Sequence, residues 1–159
     1  MADMLVHLLN LPDDREDMER LMAEGIIIRR ARPLERSVVR RYVLSKWSEV
    51  WADEADTAFS SQPPTIFIAT HEKKIIGFGC YEVTCRGFFG PTGVNEEYRG
   101  KGIGKVILIE CLRAMREMGY AYAIIGGVGP VDFYSKCVGA TLIPDSTPGI
   151  YTDMLQRDE

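Results

Sequence analysis

A chain of 159 residues, 46% hydrophobic and 26% charged, has the size and make-up of one folded domain with a sizeable core. A net charge of −4 argues against a nucleic-acid-binding surface as the main function, although a local basic loop can still hold an anion. Cys80, Cys85, Cys111 and Cys137 form no C-x-x-C pair and the histidines do not cluster, so neither a metal site nor a disulfide framework is expected. The opening Met1-Ala2-Asp3-Met4-Leu5 lacks the basic, then apolar, pattern of a signal peptide, and no stretch approaches a membrane span. The expectation is a cytoplasmic protein without a membrane partner.

Residues 1–25 read as an N-terminal helical extension: an apolar run from Leu5 to Leu11, Pro12 as a break, then a helix opened by acidic residues and stopped at Gly25. Packing arm, dimer contact and part of a substrate lid all suit such an element. Residues 26–159 read as the domain proper. Ile26–Arg32 is β-branched and ends at Pro33, which predicts the first strand. Apolar residues at helical spacing predict a helix over 34–51 and a shorter one over 52–59. Thr65–Ala69 and Lys74–Val83 predict a hairpin turning at His71-Glu72-Lys73. Phe88–Val94 predicts a strand made irregular by Gly90, Pro91 and Gly93, the signature of a bulge or a close backbone approach. A helix over 105–118 precedes Tyr120–Gly126, whose lack of polar alternation predicts a central strand covered on both faces. A short helix from Pro130 to Val138 and two β segments, 140–143 and 150–155, complete the chain. This order predicts one α/β domain with a mixed sheet.

The chemistry concentrates in Arg99-Gly100-Lys101-Gly102-Ile103-Gly104-Lys105, directly before the apolar start of a helix. Glycine backbone N–H groups and a helix N-terminus suit an anion, and Arg99, Lys101 and Lys105 add full charges. A Walker A loop fails because Val106 stands where a hydroxyl residue must follow Gly104-Lys105. A dinucleotide fingerprint fails because the third glycine of Gly100-Lys101-Gly102-Ile103-Gly104 comes one residue early. A phosphate-rich ligand of another kind is expected; a solvated glycine turn is the plain alternative.

This Arg-x-x-Gly-x-Gly passage from strand to helix, running from Val94 to Gly104, resembles the pyrophosphate loop of the GNAT superfamily of acyl-CoA-dependent N-acyltransferases. Phe133-Tyr134-Ser135-Lys136 is similar to that family's later Phe-Tyr-x-Lys element. The resemblance implies a mixed, mostly antiparallel sheet flanked by helices, with two central strands splayed around the pantetheine arm. It implies that Thr92, Gly93 and Val94 contact pantetheine, that the Val94 N–H polarises the thioester carbonyl, and that Arg99, Gly100, Lys101, Gly102, Ile103, Gly104 and Lys105 hold the pyrophosphate. It implies acetyl-CoA as co-substrate, an amine as acceptor, and a homodimer; with no docking extension or charged tract suited to protein tails, a small-molecule amine is expected, and a protein N-terminus or lysine is the alternative acceptor. Tyr134 is the implied general acid for the departing thiol. No carboxylate lies in Phe88–Val94, so Glu82 on the preceding strand stands in as general base, beside a solvent-facing role for it and a water chain to bulk. The chain departs from the family pattern at Gly127, where asparagine is common, at Pro130, and in the spacing of Gly139-Ala140. A non-catalytic acyl-CoA sensor or interaction module is the rival reading.

Overall fold

The structure, a computed structural model, describes residues 1–158. Those residues form seven strands and five α-helices in the order β1 (Met4–His7), α1 (Arg15–Ala23), β2 (Ile26–Arg30), α2 (Arg36–Lys46), α3 (Glu49–Thr57), β3 (Ile66–His71), β4 (Lys74–Tyr81), β5 (Phe88–Val94), α4 (Ile103–Glu117), β6 (Tyr122–Ile125), α5 (Val131–Val138) and β7 (Thr141–Leu142). They make one sheet of order β2-β3-β4-β5-β6-β1-β7. Every pairing is antiparallel except β5 with β6. This is the α/β domain with a mixed, mostly antiparallel sheet that the sequence predicts. No helix among the described residues is long and apolar enough to cross a membrane.

Alternation along the strands divides the apolar side chains between two cores. Ile66, Ile68, Phe78 and Cys80 face one side and pack with Val39 and Val43 of α2 and Ala52 and Ala55 of α3. Ile26, Ile28 and Ala69 face the other, against Val106, Ile107, Leu108, Cys111, Leu112 and Met115 of α4. Each fully buried Leu or Ile side chain there contributes roughly 1.5–3 kcal/mol. The helix α4 is therefore held along its length, and its N-terminus, Ile103, is seated just beyond the end of β5.

Two expectations at the chain ends are corrected. The apolar run at 5–11 opens not as a helix but as strand β1, with Met4 and Val6 at 0% exposure alternating with Leu5 and His7. The reason is tertiary: β6 has an edge to be paired, and β1 pairs with it antiparallel from Met4↔Ile125 to His7↔Tyr122. The segment 150–155 forms no strand. It follows a 3₁₀ turn at Gly149–Tyr151, because β1 already occupies the place beside β6, and β7 pairs with β1 through only Met4↔Leu142 and Leu5↔Thr141. The second helix expected at 52–59 starts earlier, at Glu49, because the Ser48 side chain accepts the Trp51 N–H and caps it.

Candidate active site

Strands β5 and β6 pair only at Phe88↔Ile124 and Phe89↔Ile125. Beyond that point β6 ends, while β5 continues to Val94 paired with β4 alone, through Gly79↔Thr92, Phe78↔Gly93 and Gly77↔Val94. The two parallel strands thus part, and one backbone edge of β5 is left open. A groove of about 870 Å³ occupies the gap. Its walls include Gly90 to Val94 on one side and Ile125 to Pro130 on the other. The sequence-predicted Thr92, Gly93 and Val94 all line it. Gly93 is required for a second reason: a Cβ there would lie 2.3 Å from the Trp47 ring.

At the far end the groove meets the loop from Arg99 to Lys105. Gly102 caps α4 with φ +87 and Gly100 has φ +85, left-handed values that favour glycine. The capping residue carries no side chain to satisfy the first N–H groups of α4, so these stay available to an anion. Arg99, Gly100, Gly102, Gly104 and Lys105 line the groove, and Ile103 does so while mostly buried. Lys101 does not line it. Its Nζ lies 2.9 Å from Glu24 of the α1 C-terminus, Lys105 Nζ lies 3.5 Å from Asp17, and Arg20 Nη1 donates to the Lys101 carbonyl at 2.9 Å. These α1 contacts are absent from the sequence reading because nothing at 17–24 marks its side chains as partners of residues 101–105.

The opposite wall is organised by the first residues of the chain. Asp3 Oδ1 accepts the Gly127 N–H at 2.8 Å, and the Val128 N–H donates to the Ala2 carbonyl at 2.9 Å. Gly127, where the resemblance leads one to expect asparagine, therefore has its N–H committed to Asp3.

Tyr134 is on α5, 6% exposed, with its ring edge-on to Phe133 and Phe89 at centroid distances of 5.1 and 6.4 Å. It lines the groove. Burial, with a smaller effect from Cys137, pushes its phenol up to about 12. The phenol is thus neutral at pH 7, a hydrogen-bond donor and a weaker acid than an ordinary tyrosine.

Glu82 lies elsewhere. Strand β4 ends at Tyr81 and Glu82 has φ +63. Its Oε1 accepts the Gly87 N–H at 2.5 Å and its Oε2 accepts the Tyr120 hydroxyl at 3.1 Å. Both oxygens tie down the β4–β5 connection, and Glu82 lines neither the groove nor its annex. Of the three aromatic residues of the helical pair, Trp51 reaches the groove, while Tyr42 donates to Asn95 Oδ1 at 2.5 Å and Trp47 packs on Gly93.

The annex is a second pocket of about 340 Å³ that shares Met1, Trp51, Phe89, Gly90, Pro91, Gly126 and Gly127 with the groove. Among the described residues one acidic side chain lines it: Glu54 of α3, half-buried, accepting the Thr84 hydroxyl at Oε2. Burial raises its carboxyl above the usual carboxylate range, and the Thr84 hydrogen bond partly opposes this. Glu54 was missed from sequence because it reads as one more polar position on an amphipathic helix. No group of three or more His, Cys, Asp or Glu side chains able to hold a metal ion occurs among the described residues.

No curated protein matches the chain in sequence. Among solved structures, a glucosamine N-acetyltransferase region of a fungal multi-domain β-N-acetylglucosaminidase superposes with TM-score 0.72 at 17% identity, over 89% of this chain and 19% of that one. A GCN5-related N-acetyltransferase from Sphaerobacter thermophilus superposes with TM-score 0.68 at 21% identity, over 89% of this chain and 48% of that one. An aminoglycoside acetyltransferase from an uncultured soil metagenomic sample, solved with trehalose, gives TM-score 0.54 at 15% identity, over 73% and 89%. The first two are much longer, so this chain spans about a fifth and about half of their lengths. The sequence profile of the acetyltransferase (GNAT) family matches residues 34–139, a stretch that holds the splayed strands, the glycine loop and Tyr134. On that match the chain belongs to the acetyltransferase (GNAT) family of acyltransferases.

Proposed function

We propose that this protein transfers an acetyl group from acetyl-CoA to a primary amine of a small molecule by direct attack. The observation that carries the reading is the open edge of β5 running into the uncapped start of α4. It is an extended slot with backbone donors along one side and a phosphate cradle at the end. Successive N–H groups of a strand point to opposite sides. The Asn95 N–H donates to the Ile76 carbonyl on β4 at 2.8 Å, so the Val94 N–H faces the gap. There it suits the thioester oxygen as charge develops on it; losing one such donor in other enzymes costs roughly 3–4 kcal/mol of barrier. Gly100, Gly102, Ile103, Gly104 and Lys105 would receive the pyrophosphate, with Arg99 and Lys101 adding charge. Two of the structural neighbours are named for acetylating glucosamine and aminoglycosides, which supports an amine acceptor.

Tyr134 acts on the departing sulfur. A phenol held near 12 donates a hydrogen bond to the thiolate as the carbon–sulfur bond breaks, and so lowers the barrier without having to give up its proton completely. Glu82 has no part in this reading, since both of its oxygens are engaged outside the groove. The test is titration calorimetry with acetyl-CoA together with turnover of Tyr134→Phe. We expect micromolar binding, the same dissociation constant in the variant, and kcat reduced roughly a hundredfold. A wild type that does not bind acetyl-CoA overturns the function, and a fully active Tyr134→Phe overturns the role of the phenol.

A further inference from the structure

We infer that the annex around Glu54 is the acceptor site, and that it takes a small primary amine on an apolar body, whose ammonium the Glu54 carboxylate binds and deprotonates. This rests on the acetyl-transfer reading of the adjoining groove. Three observations carry it.

The first is continuity. The annex joins the groove at Phe89, Gly90 and Pro91 of β5 and at Gly126 and Gly127 after β6, where the strands begin to part. The loop from Arg99 to Lys105 follows the other end of β5, so a molecule in the annex enters the gap between the strands from the side opposite that loop.

The second is an unbalanced charge. Glu54 accepts the Thr84 hydroxyl at Oε2, while among the described residues Oε1 has no hydrogen-bond partner and no cation, the amino terminus of Met1 on the annex wall included, lies within salt-bridge distance of either oxygen. A half-buried carboxylate in apolar surroundings is unfavourable unless a cation joins it. An ammonium supplies that cation, and the aromatic side chains of Trp51 and Tyr151 line the same annex.

The third is the character of the walls. Val50, Trp51, Phe89, Pro91 and Pro148 are apolar, and the side-chain hydroxyls on offer are those of Thr84, Thr147 and Tyr151. Thr84 is already donating to Glu54. At about 340 Å³ the annex is at the low end of ordinary small-ligand pockets, roughly 300–1,000 Å³. A sugar would leave most of its hydroxyls unpaired there, which disfavours it. A compact aryl or alkyl amine leaves none.

The ammonium gives one proton to the Glu54 carboxylate, which later passes it to solvent. The neutral nitrogen forms the carbon–nitrogen bond as the carbon–sulfur bond breaks. The second nitrogen proton leaves as the amide forms and ends on the thiol at the Tyr134 side, so one amide, one thiol and one proton are released. A carboxyl raised by burial is a better base for this purpose than a solvated one.

The experiment measures 2-phenylethylamine binding to the CoA-loaded protein by calorimetry and its acetylation by thiol release, with glucosamine as the hydroxyl-rich control. Wild type, Glu54→Gln and Tyr151→Ala are compared, and thermal unfolding checks that each is folded. We expect 2-phenylethylamine to be turned over with kcat/KM at least tenfold above glucosamine. Glu54→Gln should lose a hundredfold or more of that value while binding acetyl-CoA as wild type does. Tyr151→Ala, which removes a wall and no charge, should raise KM severalfold with kcat nearly kept. Failure of the CoA-loaded wild type to bind 2-phenylethylamine, preference for glucosamine, or full activity of Glu54→Gln overturns the acceptor site while acetyl-CoA binding still stands. Loss of acetyl-CoA binding in the wild type instead overturns the reading beneath it.

Discussion

At the end beside α4 the groove is lined by Thr92 to Val94 and by most of Tyr98 to Lys105, close neighbours in the chain, and what they offer is backbone: the open edge of β5 and the first N–H groups of α4. At its other end Glu54, Thr84, Phe89 and Tyr151 arrive from α3, the β4–β5 loop, β5 and the segment after β7, and what they offer is side chains. Phosphate recognition needs N–H groups and left-handed turns, and local glycines provide both. Amine recognition needs a carboxylate stripped of water, and that depends on which distant walls close around it. One site therefore has an end fixed by short-range geometry and an end fixed by packing.

The strongest way to break this contrast is Gly102→Trp. The residue has φ +87, and a Cβ there would stand 3.1 Å from Arg20 Nη2, so a large side chain both strains the turn and fills the cradle. We expect acetyl-CoA affinity to fall at least a hundredfold by calorimetry, with the fold kept by circular dichroism. Retained affinity would show that the loop is a mere turn.

A smaller effect separates backbone from side chain at the same end. Glu24 pairs with Lys101 at 2.9 Å on the surface, where solvent and salt screen the pair and leave it a weak restraint. Glu24→Ala frees the lysine, and acetyl-CoA affinity should rise two- to fivefold at low salt and return to the wild-type value at 0.5 M salt. A large loss on the same substitution would mean that the pair shapes the loop rather than restrains a charge.

The smallest effect tests the foundation of α4. Arg113 bridges Asp14, 1% exposed, at 2.8 Å and Glu110 at 2.7 Å, tying the start of α1 to α4. Burial, and then the nearby Asp14, raises the Glu110 carboxyl to about 6. An acid whose folded value lies above its unfolded one is bound to its proton more tightly in the folded state. Its contribution is therefore fully present below about 4.5 and is lost as pH rises through 6. Glu110→Gln should remove this fall, giving a melting temperature that is flatter than wild type between pH 4.5 and 6.5, by a few degrees at most. An unchanged slope would place the titration elsewhere.

The sequence by itself determined most of what is local. The irregular strand at Phe88–Val94, the loop at Arg99–Lys105, α4 and the aromatic Tyr134 on α5 all stand where residue chemistry put them, because φ, N–H direction and helical period are properties of short stretches. Tertiary structure alone decided the rest. Met4–His7 became a strand because β6 had an edge to pair, and that choice left the tail at 150–155 free to bring Tyr151 over Gly126 and Gly127 instead of joining the sheet. Glu82 went to Gly87 and Tyr120, while Glu54, unmarked in its helix, came to face the annex. A carboxylate's role depends on its solvation, and solvation is set by neighbours that can be a hundred residues away in the chain.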